Sequence, residues 1–133
     1  TSEATLRTAL DFVRVLGKTG VEVFEYPGYV TTRVIVPFLN EAMHVVMEGV
    51  ATAEAVDTSM KLGYGLPVGP LALADRMGLD EVMRWMQYLF DELGDLKYRP
   101  CPLLRKMIRA GHLGVKSGRG FFVYPGGPAS PTP

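Results

Sequence analysis

The stretch that most constrains this chain runs from Pro27 to Gly49, Pro27-Gly28-Tyr29-Val30-Thr31-Thr32-Arg33-Val34-Ile35-Val36-Pro37-Phe38-Leu39-Asn40-Glu41-Ala42-Met43-His44-Val45-Val46-Met47-Glu48-Gly49. Apolar residues at Val30, Val34, Phe38, Ala42, Val45, Val46 and Gly49 recur at helical spacing and predict a helix with one apolar face. Gly49 is its expected stop. Pro37 removes a backbone donor inside the run, so a kink or local break is expected there. At about 1.5 Å per residue the helix is roughly 30 Å long, the width of a small domain. An apolar face of that length needs other helices against it.

The rest of the chain supplies them. Ser2 or Thr5 is placed to cap a first helix with Leu6, Ala9, Leu10, Val13 and Leu16, stopped by Gly17. Beyond the long helix, Thr52 caps Ala53–Leu62, Pro70 starts Leu71–Met77, Asp80 caps Glu81–Leu93 and Pro102 starts Leu103–Ala110. Gly118–Tyr124 reads as extended. The expected architecture is mainly α, an irregular helical bundle with short Gly/Pro connections. Val21-Glu22-Val23-Phe24-Glu25 alternates like a short strand, and a lone strand has no partner for its backbone. Residues 1–26 therefore read as the trailing helix and strand of a larger α/β domain. Residues 27–124 read as the helical domain, and the Pro/Gly-rich residues 125–133 as a flexible tail.

Composition narrows the function classes. Hydrophobic residues make up 47% of the 133, enough for a real core, which argues against disorder. No apolar run is long enough for a membrane span, and the first residues lack a secretory signal pattern. The chain starts without Met, as a fragment would. The single Cys101, between two prolines, excludes an internal disulfide framework and reads as a small packed thiol. A cytoplasmic location fits. Net charge is zero, but residues 1–95 hold all the acids against half the bases, a net of −7, and residues 96–133 hold seven bases and no acid. That basic segment reads either as an anion-binding face for phosphates or as a segment folded back onto the acidic body. Nothing in the pattern points to nucleic acid.

Candidate chemistry is sparse. His44 and Glu48 stand four apart on one helix face with Glu41 beside them, either a metal or acid/base pair or a solvated polar patch. No third metal ligand is near in sequence, so no metal site is assigned. The glycines of Gly63-Tyr64-Gly65-Leu66-Pro67-Val68-Gly69-Pro70 match no phosphate-binding fingerprint. By residues alone the chain is a helical module that binds something, with no catalytic residue of its own.

Several longer motifs carry a family resemblance. Pro27-Gly28-Tyr29-Val30, Pro37-Phe38-Leu39-Asn40-Glu41-Ala42, Asp57-Thr58-Ser59-Met60-Lys61-Leu62-Gly63, Pro67-Val68-Gly69-Pro70-Leu71-Ala72-Leu73-Ala74-Asp75, Lys97-Tyr98-Arg99-Pro100-Cys101-Pro102-Leu103-Leu104 and Gly114-Val115-Lys116-Ser117-Gly118-Arg119-Gly120-Phe121-Phe122 occur in order. Together they resemble the C-terminal domain of 3-hydroxyacyl-CoA dehydrogenases, especially the 3-hydroxybutyryl-CoA type. The resemblance implies a 6-phosphogluconate-dehydrogenase-C-terminal-like helical fold and a preceding Rossmann domain that holds NAD and the catalytic His–Glu pair. It implies an acyl-CoA substrate oxidised from 3-hydroxy to 3-oxo, and a homodimer. This chain alone is then expected to be inactive. Thr32 stands where the family usually has a substrate-binding asparagine, and offers one hydroxyl donor in place of the amide; packing or capping at the helix start is its other reading. Lys116 falls at the family position close to NAD, against the alternative of a solvated loop lysine. The Gly63–Pro70 loop would wall the substrate side. A non-catalytic dimerisation or acyl-CoA-binding module is the alternative function.

Overall fold

The computed structural model describes residues 1–126. Most of the expected tail lies outside the described residues. Six α-helices follow one another: α1 Glu3–Val15, α2 Thr31–Met47, α3 Ala53–Tyr64, α4 Pro70–Met77, α5 Leu79–Leu93 and α6 Pro102–Arg109. Short 3-10 turns at Leu96–Tyr98 and Val115–Ser117 complete the order. The mainly α, irregular bundle is the observed architecture.

Local chemistry explains most ends. Ser2, rather than Thr5, caps α1, its hydroxyl accepting from the Thr5 N–H at 3.1 Å. Thr52 caps α3 in the same way, accepting from the Ala55 N–H at 3.2 Å. Pro70 and Pro102 occupy the first turns of α4 and α6, where a missing N–H costs nothing. Asp80 is not the cap of α5, because its carboxylate is drawn to Lys116 instead. Pro37 does not break α2, which runs continuously from Thr31 to Met47.

α2 is the central helix, packed against α3, α4, α5 and α6. Its buried stripe is Val36, Leu39, Asn40, Ala42 and Met43. The inward face is therefore rotated from the one the spacing suggested, and Val30 and Val34 stay 53% and 65% exposed. Facing that stripe are Leu71 and Ala74 of α4, Leu79, Val82, Met86 and Leu89 of α5, and Tyr98, Cys101 and Leu104. Burying a large aliphatic side chain stabilises by about 1.5–3 kcal/mol, so this cluster outweighs every surface contact in the chain.

Both ends depart from the sequence reading. Val21–Glu25 forms no strand, and among the described residues there is no sheet. A strand needs a neighbour to satisfy its backbone, and none is present for this one. Gly118–Tyr124 is also not a strand. It folds on itself through isolated bridges between Gly114 and Arg119 and between Arg119 and Val123. α1 buries none of its residues.

Candidate functional site

Where α2 begins, the backbone turns sharply. Gly28 and Tyr29 lie in succession in the left-handed region, at φ +78° and +46°. Glycine accepts this freely; a bulky tyrosine does not, and such strain costs about 1–3 kcal/mol. The turn is closed by the Tyr29 N–H donating to the Tyr26 carbonyl at 2.9 Å. A Cβ on Gly28 would stand 2.8 Å from Leu89 Cδ2, so the turn is seated directly on α5.

A cleft of about 390 Å³ opens beside it, lined by Gly28, Tyr29, Thr32, Arg84, Trp85 and Tyr88. That volume lies within the usual range for small-molecule sites. α2 has no side-chain cap, so the hydroxyl of Thr32 is not spent on capping, and Thr32 lines the cleft. On α5, Trp85 and Tyr88 meet edge to face, with centroids 5.8 Å apart and planes at 86°. The Arg84 guanidinium lies 5.3 Å from the Trp85 ring centre. It is held from behind by Glu81, which accepts from Arg84 Nε at 3.0 Å and Nη2 at 2.5 Å.

Lys116 lies elsewhere, in the 3-10 turn after α6. Its ammonium donates to Asp80 Oδ2 at 2.6 Å and stands 2.5 Å from Oδ1. No directed hydrogen bond reaches Oδ1, but at that distance its charge is paired. Burial pushes the Asp80 carboxyl up, and the hydrogen bond and charge of Lys116 outweigh it, so the group sits below the ordinary carboxylate range. Lys116 is thus half-exposed and paired rather than a free cation. It ties the C-terminal segment to the first turn of α5. Among the described residues this is the only ion pair joining the basic segment to the acidic body at long range.

Asp75 makes the second tie. Fully buried, it accepts from the Phe121 and Phe122 N–H groups, both at 3.0 Å, and from the Tyr124 hydroxyl at 2.9 Å. Burial raises its carboxyl above the ordinary range despite these donors. Burial and the neighbouring carboxylate likewise push the Tyr124 hydroxyl up. Gly114 and Gly120 are the residues that let the segment come so close: a Cβ on either would fall within 2.2 Å of Asp75 atoms.

Other motif residues also prove to be structural. Asp57 accepts from the Leu71 and Ala72 N–H groups at 2.8 and 2.9 Å and so caps α4 from a neighbouring helix. Asn40 donates to the Arg99 carbonyl at 3.1 Å and accepts from the Cys101 N–H at 2.8 Å. Cys101 is buried against Met47, and burial pushes its thiol up, away from nucleophilic chemistry. His44, Glu41 and Glu48 line an open hollow with Lys97 and Arg99. No three His, Cys, Asp or Glu side chains converge to hold a metal among the described residues.

The structure therefore separates Thr32 and Lys116: the first lines the cleft, the second braces the fold. Sequence reading missed Arg84, Trp85 and Tyr88. Their signal was present, since Glu81, Arg84, Trp85 and Tyr88 recur at three- and four-residue spacing on one face of α5.

The cleft, with hydroxyl, aromatic and guanidinium walls, sits in a helical domain. Comparison with known proteins names the class further. A family profile described as 3-hydroxyacyl-CoA dehydrogenase, C-terminal domain, matches residues 28–124, and the chain belongs to that family. It is 55% identical over 124 residues to the "Probable 3-hydroxybutyryl-CoA dehydrogenase" of Bacillus subtilis (strain 168), covering 93% of this chain and 43% of the relative. It is 46% identical over 132 residues to the 3-hydroxybutyryl-CoA dehydrogenase of Bradyrhizobium diazoefficiens, covering 99% and 45%. The crystal structure of (S)-3-hydroxybutyryl-CoA dehydrogenase from Ralstonia eutropha superposes with a TM-score of 0.90 at 46% identity, over 93% of this chain and 44% of that one. The chain thus spans less than half the length of the relatives it matches. No helix among the described residues is long and apolar enough to cross a membrane.

Proposed function

We propose that this chain is the substrate-completing and dimerisation domain of an NAD-dependent dehydrogenase acting on 3-hydroxyacyl-CoA, most directly 3-hydroxybutyryl-CoA. The observation that carries the reading is the placement of Thr32 in a cleft at the root of α2, directly after the segment that leads in from residues 1–26. In this reading residues 1–26 are the last helix and strand of the NAD-binding domain, and residues 27–124 the helical domain. Ligand sites form preferentially at such domain boundaries.

The bound NAD supplies the hydride acceptor. The residues of this chain bind and orient. Thr32 donates its hydroxyl to an oxygen of the acyl group and holds it as charge develops. Tyr29, Trp85 and Tyr88 keep the acyl end out of water. In this reading Lys116 meets the cofactor as half of its ion pair with Asp80, offering a positioned N–H rather than a free charge. Val34, exposed on the long helix, belongs to a face that a second copy would cover.

The test is turnover. The full-length enzyme should oxidise NADH with acetoacetyl-CoA, and this chain alone should not. Thr32→Ala should lower kcat/KM at least about tenfold. A full-length protein with no activity on any 3-oxoacyl-CoA would overturn the function, and an active T32A variant would overturn the role of Thr32.

A further inference from the structure

Thr32 shares its cleft with a wall on α5 that an exposed helix face does not ordinarily build. Aromatic side chains at the surface usually keep their rotamer freedom. Here Trp85 is held on two sides. The guanidinium of Arg84 lies against its ring at 5.3 Å, and the ring of Tyr88 meets it edge-on at 5.8 Å. Arg84, itself exposed, is paired with Glu81, which takes two of its N–H groups on one oxygen. Glu81, Arg84 and Tyr88 thus stand around one indole on the same face of α5. Trp85 packs one edge against the core, whose fully buried α5 residues are Leu79, Val82, Met86 and Leu89, and also lines the cleft, whereas Arg84 and Tyr88 beside it are exposed and lie outside the core cluster. The strained Tyr29 lines the same cleft, and backbone strain in a bulky residue persists where the surrounding structure imposes it. A pinned indole and a strained tyrosine on the rims of one cleft point to a ligand-shaping role.

We propose that Trp85 is the specificity-determining wall of the acyl subsite, and that Arg84 and Tyr88 are positioning residues that hold its ring; this rests on the dehydrogenase reading given above. The ligand is the acyl chain beyond C3 of a CoA thioester. Thr32 engages the oxygen-bearing end, and the indole meets the chain a few carbons further on. Short acyl groups fit between the two; longer ones meet the ring. The guanidinium covers one face of the indole and cannot itself be buried by an apolar chain without losing solvent, which sharpens the limit.

The experiment uses the full-length enzyme and compares kcat/KM for 3-oxoacyl-CoA thioesters of about four and about eight carbons. Rejection of an extra methylene by an apolar wall is worth about 10–200-fold. Trp85→Ala should therefore raise the long-to-short ratio at least about tenfold, and Trp85→Phe by less. Arg84→Gln should move the ratio in the same direction and, measured on this 133-residue chain with its single tryptophan, shift the fluorescence to longer wavelength, with Arg84→Lys partly restoring both. A folded, active W85A variant whose ratio stays within about twofold of the wild type overturns the proposal. If W85A fails to fold, Tyr88→Ala reads the same wall, and an unchanged ratio there is equally fatal. Wild-type enzyme that turns over no 3-oxoacyl-CoA defeats the dehydrogenase reading itself, an outcome distinct from an active enzyme indifferent to Trp85.

Discussion

Replacing Asp75 by Asn turns one of two accepting oxygens into a donor that faces a backbone N–H. Three donors converge on that carboxylate, from Phe121, Phe122 and Tyr124, and the amide can serve only some of them. Asp75→Asn is expected to destabilise the fold by about 1.5–3 kcal/mol, against about 1 kcal/mol for Tyr124→Phe, measured by urea unfolding. A D75N variant no less stable than Y124F would refute the anchoring role. Asp80 provides a pH test of opposite sign to Asp75. Its carboxyl is lowered in the folded state, so the stability it contributes is present above the ordinary carboxylate range and lost as pH falls through its lowered value. Both partners are nearly half exposed, so the pair is worth only about 0.5–1 kcal/mol. The difference in unfolding free energy between wild type and Asp80→Asn should be measurable at neutral pH and vanish in strong acid. At this scale the sequence was hard to read. Asp75 and Asp57 appear as single acids among apolar neighbours, and their partners are backbone N–H groups, which every residue but proline carries and no pattern marks. Lys116 stood out by its motif, yet its partner lies thirty-six residues away.

Helices α2 to α6 were legible because spacing, caps and Pro starts act locally. Which stripe of α2 faces inward was not, because Val34 and Val36 are equally apolar and only the neighbouring helices decide between them. The interior Pro37 was misread for a related reason. One lost hydrogen bond, to the Arg33 carbonyl, is outweighed by the burial of Val36, Leu39 and Met43 around it. The start of α4 depends on a tertiary cap. Asp57 approaches so closely that a Cβ on Gly69 would fall 2.2 Å from its Cγ. Gly69→Ala must push the cap away and is expected to destabilise by about 1–3 kcal/mol. Asp57→Ala, which frees that space but strips the cap, should cost about 1–2 kcal/mol. If the clash acts only through the cap, the double variant costs little more than D57A alone, as unfolding of all three proteins would show. Additive losses would mean that Gly69 matters for some other reason.

At the scale of the whole molecule the chain divides into a body that holds itself together and a lead-in segment that does not. α1 is a thirteen-residue helix that buries nothing, and isolated helices of that length are marginal in water. Beyond it Val21 and Phe24 are 75% and 87% exposed. The alternation that suggested a strand forms none in this structure; in the reading proposed above, its partner is a sheet of the NAD-binding domain. This yields a prediction about the chain by itself. Trypsin should cut first at Arg7, Arg14 and Lys18, while Arg76 and Arg84, inside packed helices, resist. Amides of α1 should exchange at nearly the rate of a free peptide, and those around Leu39, Met43 and Leu89 only on global unfolding. If residues 1–26 belong to an NAD-binding domain, as proposed above, the same α1 amides and the same tryptic sites should become protected in the full-length protein, because the sheet of that domain would then cover Val21, Val23 and Phe24. Equal protection of α1 with and without that sheet would mean that the lead-in segment belongs to the helical body after all, and that the cleft beside Thr32 does not lie at a boundary between domains.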